Sequence, residues 1–190
     1  MQKRLKALAS LGLGILLVAG SVDGAYPAFS PDVEVSTPRL ATYGVASAPI
    51  GLIVFCMQQP EYCRGGGAEQ LRLTSDIMNK LQRINHSVNR GIHPRSDKGD
   101  VWSVNVSYGD CEDYALTKRA KLIASGLPAS ALRMATVRTR TGEGHAVLVV
   151  RTDKGDYVLD NLSGEVKAWN RTGLRWIAMS GASLLSWRKI

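Results

Sequence analysis

One change of rhythm constrains this chain more than any other feature. Between residues 69 and 125 apolar side chains recur at spacings of mostly three and four, whereas from Leu132 onward they alternate. A 3.6-residue period buries one face of a helix, and a two-residue period buries one face of a strand. Helices first and strands afterwards predict an α+β domain in which helices pack on an antiparallel sheet. The first helix covers 69–90, carried by Leu71, Leu73, Ile77, Leu81, Ile84 and Val88, with Thr74 or Ser75 as a second start signal and Gly91 and Pro94 as the stop. The second covers 111–125, with Asp110 suited to the N-cap and Gly126 to Pro128 ending it. Strands follow at 132–139, 145–152 and 156–160, joined by Gly-containing turns, and segments 166–169 and 174–179 can add to the sheet. A polar loop from His93 to Tyr108 separates the two helices.

The first residues read as an export signal rather than as fold. Lys3, Arg4 and Lys6 precede an apolar run over 7–19, and small residues (Gly20, Ser21, Gly24, Ala25) follow. That run is shorter than the roughly 20 residues a membrane-spanning helix needs. Residues 1–24 are therefore expected to be a cleaved signal peptide, 25–49 a loose lead-in, and 50–190 a single domain. The net charge of the whole chain is +8, and losing 1–24 removes three bases and one acid. The remaining basic residues are scattered among apolar ones instead of forming a patch, which argues against nucleic acid as a partner. Three cysteines are an odd number for an exported chain. Cys56 and Cys63 flank a short turn and can pair in an oxidising compartment, which leaves Cys111 as a single thiol; the alternative is three reduced, buried cysteines.

Cys111 sits in Gly-Asp-Cys-Glu-Asp-Tyr, residues 109–114, at the start of the second helix. A helix N-terminus favours thiolate, whereas Asp110, Glu112 and Asp113 disfavour a further anion beside them. A cysteine nucleophile needs a base and a group that orients it. Of three histidines, His145 opens a strand directly after a Gly-Glu-Gly turn, and Asp160 ends the next strand. A hairpin turn at Lys154 and Gly155 brings His145 and Asp160 near each other across the ladder. Asp113 at the third helical position is expected to bind backbone N–H groups, and Trp102 either walls a cleft or joins the core.

These residues carry a resemblance. Gly-Asp-Cys-Glu-Asp-Tyr-Ala at 109–115 followed by Lys118, Gly-His-Ala-Val-Leu-Val at 144–149 and Tyr-Val-Leu-Asp-Asn at 157–161 resemble the bacterial transglutaminase-like cysteine peptidases. The resemblance covers roughly 50–165 and implies a papain/transglutaminase-like core. It implies Cys111 as nucleophile, His145 as general base and then acid, and Asp160 as the orienting carboxylate. It also implies a calcium site at Asp110 and Glu112, with Asp97, Asp100 and Asn105 as candidates for further oxygen ligands. By the same resemblance the chain is expected to be a periplasmic monomer that cleaves a protein substrate of the surface-adhesin kind, with a membrane receptor as regulator. An acyl-transferring or peptidoglycan-directed amidase on the same three residues is the first alternative, and a non-catalytic envelope binding protein is the second.

Overall fold

A computed structural model describes residues 38–190 of the chain; the expected signal peptide and most of the expected lead-in lie outside the described residues. In chain order the elements are β1 (Tyr43–Ala46), α1 (Ile50–Gln58), α2 (Ser75–Gly91), β2 (His93–Pro94), β3 (Tyr108–Gly109), α3 (Cys111–Ala124), β4 (Leu132–Arg138), β5 (Gly144–Thr152), β6 (Gly155–Leu159), β7 (Lys167–Ala168), β8 (Arg175–Ser180) and β9 (Trp187–Lys189). Seven strands form one antiparallel sheet in the order β1-β9-β8-β4-β5-β6-β7, and β2 and β3 make a small parallel pair of their own. The fold class is α+β, with three α-helices and an antiparallel sheet among the described residues.

Alternation along the central strands sorts two apolar layers. Leu132 and Met134 of β4, with Leu148 and Val150 of β5, pack against Leu52, Phe55, Leu81, Leu116 and Leu122 from the helices. Ala135, Val137, Val147 and Val149 belong to a second cluster with Leu40, Val158 and Met179. Among the side chains buried with α3 is Arg119, whose guanidinium donates to the main-chain oxygens of Leu132 (3.0 Å), Arg64 (3.2 Å), Ala129 (3.4 Å) and Tyr62. A buried cation survives only when its donors are engaged, and here it ties α3 to the segment that carries the Cys56–Cys63 disulfide.

Two expectations shift. The helix expected from residue 69 begins at Ser75, because Leu71 exchanges main-chain hydrogen bonds with Arg151 (2.9 Å) and Asp153 (2.8 Å) alongside β5. Thr74 then caps α2 by accepting from the Ile77 N–H at 3.3 Å. The last part of the expected loose lead-in is packed: β1 pairs with β9, and the Leu40 N–H donates to Asp156 Oδ2 at 2.8 Å. Asp156, fully buried, is paired with Arg151 at 3.2 Å, so the segment is anchored on a buried charge pair. The apolar run after Pro49 is helix α1, held by Gly51 pressed against Asp100: a Cβ on Gly51 would lie 1.9 Å from the Asp100 carbonyl oxygen.

Candidate active site

The β2–β3 pair delivers the chain to α3. The Arg95 N–H donates to the Gly109 carbonyl at 2.9 Å, and Asp110 follows in extended conformation as N-cap, so Cys111 is the first helical residue. Asp113 braces this start from within. Its Oδ1 accepts from the Ser103 N–H at 2.7 Å and its Oδ2 from the Asp110 N–H at 3.3 Å, linking the 93–108 loop to the helix. Thr117 repeats the device one turn on, accepting from the Asn105 N–H at 2.9 Å. Burial pushes the Asp113 carboxyl up to about 6, against these two hydrogen bonds, with the charges of Asp110 and Asp97 adding to the rise.

His145 and Asp160 meet across the β5–β6 hairpin. Leu148 pairs with Leu159 and Thr152 with Gly155, which projects Asp160 opposite Val147, a diagonal neighbour of His145. His145 Nε2 lies 2.8 Å from Asp160 Oδ1, and both side chains are buried. Burial alone would raise the Asp160 carboxyl. The hydrogen bonds from His145 and from the Leu162 N–H (2.9 Å), together with the charges of His145 and Lys118, hold it below the ordinary value instead. An ionised carboxylate can only accept, so Nε2 is the donor and Nδ1 is left as the nitrogen that can take a proton. Asn89 of α2 fixes the same residue from behind by donating to the Asp160 carbonyl at 3.0 Å.

Cys111 and His145 line one open cleft of about 230 Å³, walled also by Pro94, Tyr114, Thr139 and Asn161. The main-chain N–H of Ala146, next to His145, favours the Cys111 thiolate. Stronger influences oppose it. Burial, then the charge and hydrogen bond of Glu112, then the charge of Asp110, push the thiol up to about 12. The thiol donates to Glu112 Oε2 at 3.1 Å. Glu112 itself is raised to about 7, mainly by burial.

One ligand atom from each of Asp97, Asp110 and Glu112 lies within 4.8 Å of the other two. Asp110 Oδ1 is buried without a hydrogen-bond partner, which is where a cation would be expected to bind. Of the other oxygen-ligand candidates, Asp100 is spent on structure: it accepts from the Gly51 N–H and from Trp102 Nε1, each at 2.7 Å. Trp102 is a core residue, and His93 stacks on Tyr108 with ring centres 5.3 Å apart. What sequence reasoning missed is the thiol–Glu112 hydrogen bond and the part Asn161 plays in the cleft wall. Residues adjacent on a helix point about 100° apart, so no spacing rule foretells that contact.

Residues 42–190 match the family model of the bacterial transglutaminase-like cysteine proteinases. The chain belongs to this family. That family is one of cysteine proteinases, and the chain has the transglutaminase-like fold that the elements above build. Among solved structures it is similar to the calcium-bound form of LapG from Legionella pneumophila, at 27% identity over 56% of this chain and 66% of that one, with a TM-score of 0.50. An EGTA-treated LapG matches at 25% identity over 54% and 62%, and a third LapG structure at 28% over 56% and 64%, both with a TM-score of 0.50. The matches span a little under two thirds of the LapG chains. Among curated proteins there is no match. No helix among the described residues is long and apolar enough to cross a membrane.

Proposed function

We propose that this proteinase is exported and hydrolyses a peptide bond of an envelope protein through Cys111, His145 and Asp160. The observation that carries the reading is the 2.8 Å bond between His145 Nε2 and Asp160 Oδ1 in the cleft that Cys111 also lines. In the proposed reaction His145 Nδ1 takes the thiol proton as the sulfur attacks the substrate carbonyl carbon. Collapse of the tetrahedral adduct breaks the C–N bond, and the imidazolium returns the proton to the departing amine. Water then attacks the thioester, His145 takes a proton from it, and the sulfur leaves as thiolate to recover that proton. Asp160 holds the ring and offsets the positive charge formed on it. The Cys111 main-chain N–H, unpaired at the helix start, is proposed as one donor to the oxyanion.

Calcium is the proposed cofactor, with Asp97, Asp110 and Glu112 as its ligands. Three carboxylates and an orphaned Asp110 oxygen suit a hard cation that takes oxygen donors. When bound, calcium supplies positive charge that offsets the acids beside the sulfur. Calcium titration by calorimetry is expected to show binding that Asp110→Asn and Asp97→Asn each weaken. Cleavage is expected to stop in EGTA and to return with added calcium; full activity in excess EGTA would remove the metal from the account. Export is supported by the basic and apolar start of the chain, and the Cys56–Cys63 disulfide suits an oxidising compartment such as the periplasm.

A further inference from the structure

Asn161 follows Asp160 directly and lines the cleft beside Cys111 and His145. Its amide oxygen is buried and has no hydrogen-bond partner among the described residues. Native proteins keep few such groups, because burying an unpaired amide forfeits its bonds to water. The amide oxygens of Asn85 and Asn89 are also unpaired, but a structural bond accounts for each of those side chains. Asn85 Nδ2 donates to the Ser163 carbonyl at 3.0 Å, and Asn89 Nδ2 to the Asp160 carbonyl at 3.0 Å. Asn161 has no such anchor among the described residues. Its place is set by its neighbours: Asp160 is held by His145, and the Leu162 N–H returns to Asp160 Oδ1 at 2.9 Å.

Two other polar groups on the cleft wall are already engaged, and the unpaired Asp110 Oδ1 is the oxygen assigned above to a cation. The Tyr114 hydroxyl donates to the Ile92 carbonyl at 2.6 Å, and Thr139 Oγ1 accepts from the Glu143 N–H at 3.2 Å. Asn161 thus offers an unused acceptor close to the proposed reacting atoms.

We propose that the Asn161 side chain turns toward the cleft when a polypeptide binds, so that its oxygen, covered in the free protein, accepts a hydrogen bond from a backbone N–H of the substrate and fixes one residue beside the scissile bond. This rests on the peptidase reading above. A peptide carries that N–H at every residue except proline, so the enzyme discriminates against proline and N-methylated residues at one subsite.

The test uses the exported chain in calcium-containing buffer and a proteome-derived peptide library, with cleavage sites read by mass spectrometry. The most frequently cut sequence is then synthesised together with analogues, each N-methylated at a single backbone nitrogen. For the unsubstituted enzyme, methylation at one position is expected to lower kcat/KM by about tenfold. Asn161→Leu should lower kcat/KM for the parent peptide by a similar factor and lose sensitivity to that one methyl group. Asn161→Asp, which keeps an acceptor, should retain the discrimination. An Asn161→Leu enzyme as active as the unsubstituted one, or one whose loss adds to that of every N-methyl analogue alike, overturns the assignment. A library left intact by the unsubstituted enzyme, or cut equally by Cys111→Ala, contradicts the peptidase reading itself and takes this inference with it.

Discussion

Lys118 is the residue whose environment is most at odds with its chemistry. It is 1% exposed, two turns along α3 from Cys111, with its ammonium 5.9 Å from the centre of the Tyr114 ring. Burial pulls it down from 10.5 to about 7, although the negative charge of Asp160 works the other way. Between those values the unfolded chain binds more protons than the folded one, so stability rises with pH from about 7 to 10.5 and lacks that gain below 7. Lys118→Met is therefore expected to raise the urea midpoint at pH 7 and to flatten the rise toward pH 10. A lower midpoint at pH 7 would mean that attraction to Asp160 outweighs the desolvation. At the same scale, Cys111 and His145 were legible as candidates because their residue types are scarce, with three histidines and one cysteine outside the disulfide, whereas Asp160 was legible as a candidate from the hairpin that sets it near His145. Asp97 was legible only as one of two loop acids, since its approach to Asp110 and Glu112 depends on how the 93–108 loop folds back.

At the scale of elements, α3 and the β4–β6 meander were readable from period and punctuation. The expected helix over 111–125 ends at Ala124, and the expected strands differ from the observed ones by about a residue at their ends. β1 was not readable, because it is four residues long, mostly exposed, and finds its partner at the far end of the chain in β9. α1 was hidden for another reason: an apolar run without polar interruptions does not declare its period. The junction of β3 with α3 carries its own prediction. A Cβ on Gly109 would come within 2.2 Å of Asp113 Oδ2, an atom already holding the Asp110 N–H. Gly109→Ala must displace that brace, so it is expected to cost about 2–3 kcal/mol of stability and to lower turnover at least tenfold. Chemical denaturation and peptide cleavage check the two halves, and an alanine variant that is stable and fully active would show that Asp113 is not needed to place Cys111.

Taken whole, the molecule closes an edge of its sheet with β1 from one end of the described chain and β9 from the other. The Cys56–Cys63 bridge constrains the α1 region, with both half-cystines buried in the helix-side core. Closing so short a loop is worth about 2–3 kcal/mol, which corresponds to roughly 5–10 °C in Tm for a domain of this size. The double variant Cys56→Ala/Cys63→Ala is expected to melt lower by that amount while keeping its activity, as followed by circular dichroism; an unchanged Tm would show that the unfolded chain gains nothing from opening the loop. The proposed catalysis needs a thiol and an imidazole acting together, and cleavage of the peptide library by the unsubstituted chain beside Cys111→Ala and His145→Ala tests this most directly. New termini are expected only from the unsubstituted enzyme, with both variants folded and at least a thousandfold slower. Equal cleavage by a folded Cys111→Ala protein would contradict it.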